Sequence, residues 1–183
     1  MTYYGASDLA ASFRVVRANT IQIAEDIPEN KYEFKAASDC RSVAQTLTHL
    51  ALAYPAMQMA FHQNRVTDAA AFNFMEFFQT VGADEATPRS KGEIVALLKS
   101  EGEKFATYLE GLSETILAEP VAMHPGSQPA TKTRFEMLMS AKEHEMHHRA
   151  QLMVAERMLG ITPHLTRQMQ ERMAARPAAA AAR

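Results

Sequence analysis

The chain has no tryptophan, a single cysteine and only seven glycines among 183 residues. One cysteine excludes an intramolecular disulfide and agrees with a reducing, cytoplasmic setting. No apolar run approaches the roughly 20 residues that a membrane-spanning helix needs. The opening MTYYGASDLA has neither a basic leader nor an apolar stretch, so no secretory signal is expected. An excess of charge of one sign is also missing. The 19 basic and 21 acidic residues give a formal net charge of −2, and the basic ones are scattered, which removes the electrostatic case for nucleic acid. Alternating Val/Ile/Thr segments are absent, which argues against a sheet. No P-loop, glycine-rich dinucleotide fingerprint or Ser-His-Asp order is found.

What is present is helical. The chain is 47% hydrophobic and 22% charged, a globular composition with enough length to bury one core. Apolar residues recur at 3-4 spacing in four long segments. The first runs from about Ser7 to Glu25, with Ser7 or Asp8 as its cap and Pro28 beyond its end. The second spans about Asp39 to Asn64 and contains Pro55, which removes one backbone hydrogen bond. The third opens on the capping-box spacing of Ser90 and Glu93 and continues to about Ala118. The fourth opens on Thr133 and Glu136 in the same way and ends at Gly160, before Pro163. Residues 65–89 carry four phenylalanines, too many for a solvated linker, and predict a short helix or ordered loop over the bundle. Residues 121–130 read as an irregular connection. The expectation is an all-α four-helix bundle over residues 1–165, followed by a helical extension and a fraying Ala-rich tail over 166–183. The twelve methionines read as flexible core filler.

The run EHEMHHR, Glu143 to Arg149, carries the chemistry. Side chains four apart on a helix share a face, so His144 and His148 can aim two imidazoles at one point. His147 competes for that role. The apolar stripe of Leu138, Ala141, Leu152, Ala155 and Leu159 passes through position 148, however, and leaves His147 at the rim. His49 lies mid-way along the second helix among mostly small same-face neighbours (Ser42, Ala53, Ala56, Ala60), which leaves space in front of its ring. His62 points away from that face. His124 is placed in a loop where it could cover a pocket, and His164 reads as surface. Cys40, about 13 Å along the axis from His49, reads as a small buried residue and not as a ligand.

These residues resemble a family. Thr48-His49-Leu50, then HEMHHRAQL (His144 to Leu152) and LGITP (Leu159 to Pro163), are similar to the ordered motifs of the DinB/YfiT-like metalloenzyme superfamily. The segment Ile27 to Leu50 resembles its lead into helix two, and the likeness covers Ser7 to Pro163. One departure is Ala150, where many members carry glycine. The resemblance implies a four-helix bundle with long crossover connections, a homodimer and a metal site of His49, His144 and His148.

Three neutral histidines leave a coordination position open, the pattern of a catalytic site. A metal there can polarise a carbonyl or acidify water or a thiol. The expected cofactor is a divalent transition metal, zinc or nickel first, with iron, copper and manganese as further candidates. Glu145, Gln151 and Gln45 are candidate acceptors for the outer ring nitrogens. A di-iron carboxylate site is excluded because helix two has no glutamate near His49. The expected activity, on a small-molecule substrate, is thiol-dependent S-transfer (the resemblance implies a low-molecular-weight thiol as co-substrate) or metal-dependent hydrolysis. The competing expectation is a non-enzymatic, stress- or damage-induced protein with a structural or sensory metal.

Overall fold

Four amphipathic helices form the body of the protein: α1 (Ala6–Asp26), α2 (Val43–Gln63), α4 (Lys91–Glu110) and α6 (Arg134–Met158). This is seen in a computed structural model that describes residues 4–175. Shorter elements fill the connections: α3 (Phe74–Glu85), α5 (Glu114–Leu117), and a strand pair β1 (Pro120–Ala122) and β2 (Thr131–Thr133). A last helix, α7 (His164–Ala174), follows α6. The alanine-rich tail from residue 176 onward lies outside the described residues.

The main packing pairs are α1 with α4, α4 with α2, α2 with α6 and α6 with α1. Helices α1 and α2, consecutive among the long ones, therefore stand on one diagonal of the bundle, and α4 and α6 on the other. Each step to a diagonal partner needs a long crossover, and residues 27–42 and 111–133 supply them. Phe13 and Phe105, both buried, meet edge to face at 4.9 Å between α1 and α4. A second apolar cluster joins Ile23, Leu47, Leu50, Leu98 and Leu152 from all four long helices.

Local chemistry sets the helix ends. Ser42, Ser90 and Thr133 each accept a hydrogen bond from the backbone three residues on, at Gln45, Glu93 and Glu136, whose side chains reach back to the caps. Gly160 adopts φ +79° after α6, where a Cβ would be strained.

Several boundaries differ from the sequence reading. α2 begins at Val43 and not Asp39, because the Val43 and Ala44 N–H groups donate to the Phe34 and Tyr32 carbonyls of the preceding loop. The third helix stops at Glu110, and Ser113 caps the separate turn α5. A short antiparallel pair, β1 with β2, occupies part of the connection expected to be irregular. The first helix starts at Ala6 with Gly5 as its N-cap, not Ser7 or Asp8; Asp8, in its first turn, reaches back to accept from Gly5 N. α2 runs through Pro55 without a break.

At the centre of the bundle lies a buried charge. The Arg17 guanidinium on α1 binds the Glu145 carboxylate on α6 at 2.9 Å and donates to the carbonyls of Leu98 on α4 and Leu50 on α2. One side chain thus ties all four long helices together. Such a charge is tolerable only because its donors are paired.

Candidate metal centre

The buried Glu145 sets the rotation of α6. With Glu145 pointing inward to Arg17, the adjacent His144 and, one turn on, His148 face α2, while Met146 and His147 face outward. His49 projects from the middle of α2 toward them. The three imidazoles converge: one nitrogen from each of His49, His144 and His148 lies within 4.8 Å of the other two. The Nε2 atoms of His49 and His144 are 3.3 Å apart. Ligand nitrogens about 2.05 Å from a tetrahedral zinc stand about 3.3 Å from each other, so this separation fits one shared cation. Among the described residues, no fourth His, Cys, Asp or Glu donor joins the group.

The outer ring nitrogens are committed. His49 Nδ1 donates to Glu85 Oε1 at 2.8 Å, which leaves its Nε2 lone pair facing the cluster. His148 Nδ1 lies 2.8 Å from Gln151 Oε1 and donates to it. The same amide then donates from its Nε2 to His147 Nε2 at 3.2 Å. His147 is therefore exposed, turned from the cluster and held by Gln151, in keeping with its place at the rim. The Tyr54 ring stacks on His144 at 4.4 Å, and its hydroxyl is tied to Ser140 at 2.8 Å, which fixes the imidazole plane.

Electrostatics favour the metal-binding form. Burial, then the nearby His148, His49, His147 and Arg41, push the His144 pKa down to about 3. His148 is lowered chiefly by burial, against the opposing effect of its hydrogen bond to Gln151. Both imidazoles are neutral at physiological pH, and only a neutral imidazole offers a lone pair.

Not every expectation survives. Glu145 serves Arg17 and not a histidine, and Gln45 serves the α2 cap; of the three proposed acceptors only Gln151 has that role. Glu85 was missed, because α3 brings it from 36 residues away and no motif announces it. Cys40 is exposed, since it precedes the start of α2. His164 is buried, its Nε2 paired with Asn19 Oδ1 at 3.0 Å, because α7 folds back against α1. His62 is buried outside the cluster between Gln58 and Arg134, and His124 packs on Phe74.

The sequence profile of the DinB family matches residues 2–178. The chain belongs to the DinB family. Among solved structures, a DinB-like protein from Bacillus subtilis, YjoA, is 25% identical, with a TM-score of 0.63 over 84% of this chain and 92% of its own. YfiT from the same organism, described as a probable metal-dependent hydrolase with an unusual four-helix bundle topology, is 16% identical. It aligns with a TM-score of 0.65 over 88% of this chain and 91% of its own. A DinB family protein from Exiguobacterium sibiricum is 21% identical, with a TM-score of 0.59 over 87% and 94% of the two chains. These likenesses establish the fold. No curated protein matches the chain.

Proposed function

We propose that this DinB protein is a mononuclear metalloenzyme in which His49, His144 and His148 hold one divalent cation and leave a position open for a small-molecule reactant. The observation that carries the reading is the convergence of three ring nitrogens with no fourth protein donor among the described residues. A structural zinc site takes four protein ligands, whereas three histidines are the set of a catalytic one. When bound, the cation would supply Lewis acidity toward water, a thiol or a carbonyl.

The residues around the cluster suit that task. Glu85 would place a carboxylate behind His49, raising its basicity and offsetting part of the added positive charge. Gln151 would fix the His148 tautomer, and Tyr54 would brace His144. A cleft of about 630 Å³ opens beside the cluster, with His148 and Gln151 in its wall, and gives a substrate access. YfiT's description as a metal-dependent hydrolase favours activated water as the nucleophile. A low-molecular-weight thiol would use the same position.

The test is a reaction screen on protein loaded with zinc, nickel, iron or manganese, against activated esters and amides, and against electrophiles with added thiol. Turnover that requires the metal and vanishes in His144→Ala supports the reading. Stoichiometric metal in a site whose open position exchanges neither water nor thiol would favour a structural or sensory role instead.

A further inference from the structure

The cleft beside the histidines has a marked division of character. Phe34, Val43, Leu152 and Ala155 give it an apolar wall, while Asp39, Cys40 and Arg41 line it from the loop that precedes α2. Arg41 is exposed and differs from most of the other arginines. Arg14, Arg17, Arg65, Arg89, Arg134 and Arg167 each hold a carboxylate; among the described residues, Arg41 holds none. Asp39 lines the same cleft without pairing to it. Arg41 and His148 line the same cleft, so the guanidinium opens onto the space beside the proposed reaction centre.

An arginine free of a protein partner, beside an apolar cleft, presents a planar fork that matches an oxyanion. The apolar wall adds affinity for a carbon skeleton but cannot orient it; a charged anchor can. We infer that Arg41 is the specificity-determining residue of the site and that the substrate is a small amphipathic molecule. Its carboxylate or phosphate pairs with Arg41, its apolar body lies along Phe34 and Leu152, and its reacting group is directed to the histidine cluster. The identification of this molecule as a substrate rests on the metalloenzyme reading above; the anion site itself does not.

Cys40 provides the readout. It is the sole cysteine of the chain, it is exposed and it lines the cleft, so its alkylation by N-ethylmaleimide reports occupancy. The probes are 4-phenylbutyrate, 4-phenylbutyl phosphate and the neutral 4-phenylbutanamide, applied to protein stripped of metal with a chelator and then dialysed. Each variant is compared with itself, with and without probe, because removing Arg41 also changes the reactivity of its neighbour.

The two anions are expected to slow alkylation at concentrations where the amide does not. Arg41→Ala should weaken that protection about tenfold or more, Arg41→Lys should restore part of it, and Asp39→Asn should strengthen it. Equal protection by acid and amide would overturn the inference, as would protection that survives Arg41→Ala. So would protection that appears only when metal is restored, because the anion would then be binding the cation. Arg41-dependent protection in a protein that shows no metal-dependent turnover would refute the enzymatic reading and leave the anion site standing.

Discussion

Arg17 and Glu145 meet at the centre of the bundle, Nε to Oε1 at 2.9 Å, and Glu145 is the neighbour of His144. The pair couples the packing of four helices to the direction in which His144 and His148 point. Glu145→Ala leaves the Arg17 charge buried without its carboxylate, and the expected cost is about 3–5 kcal/mol. Urea denaturation of the metal-free protein measures it; a loss well under 1 kcal/mol would show that the pair does not hold the bundle together.

Gly102 makes room for that arrangement. A Cβ there would lie 2.8 Å from Arg17 Cγ, a part of the side chain that cannot swing away while the guanidinium is held on three helices. Alanine within a helix normally gains about 1 kcal/mol over glycine. Gly102→Ala is expected to reverse that sign and lower the denaturation midpoint. A raised midpoint would show that Arg17 can yield.

Glu85 is expected to act through His49. Removing its carboxylate in Glu85→Ala leaves the His49 Nδ1–H without its acceptor and frees the ring to turn. Loss of such a partner typically costs 10–100-fold in metal affinity. Competition against a chromophoric chelator should show a drop in this range, with one metal still bound at saturation. Unchanged affinity would separate Glu85 from the centre.

The pH dependence of stability should expose Glu156. This side chain is fully buried, its two carboxylate oxygens lack hydrogen-bond partners, and burial, reinforced by Asp26, pushes its pKa up to about 7. Between its ordinary value of 4.5 and about 7, the folded chain keeps a proton that the unfolded chain has lost. Stability from this group is therefore full below 4.5, falls as pH rises, and levels off above 7. His62, pushed down to about 4 by burial and Arg134, acts in the opposite sense, adding stability as pH rises toward 6.5. Glu156→Gln removes the falling component alone. Its denaturation midpoint should gain on that of the wild type from pH 5 to pH 7.5 in metal-free protein; a constant gap would mean that Glu156 ionises normally.

We also propose that the chain forms a homodimer through an apolar helix face. Met158 near the end of α6 is exposed, as are Met169 and Met173, one turn apart on α7. Light scattering should give twice the chain mass of 20.3 kDa; the monomer mass would remove the proposal.

Much of this arrangement was legible from local signals. Caps at Ser90 and Thr133 and the stop at Gly160 follow from side-chain chemistry within one turn. The inward turn of His144 and His148 follows from the apolar stripe that shares their face. What periodicity could not give was any contact set by the crossovers. Glu85 reaches His49 only because α3 folds over α2, and Glu145 finds Arg17 across the bundle. Cys40 and His164 depart from expectation for a related reason: Cys40 falls in the loop just before α2 and His164 opens α7, so a shift of a few residues or a returning helix decides burial.

The direct test of the three-histidine site is metal analysis of protein purified without a histidine tag, for the wild type and for His49→Ala, His144→Ala, His147→Ala and His148→Ala. The expected result is one divalent metal per chain in the wild type and in His147→Ala, and loss of stoichiometric metal in the other three. Metal retained by His148→Ala but lost from His147→Ala would contradict the assignment.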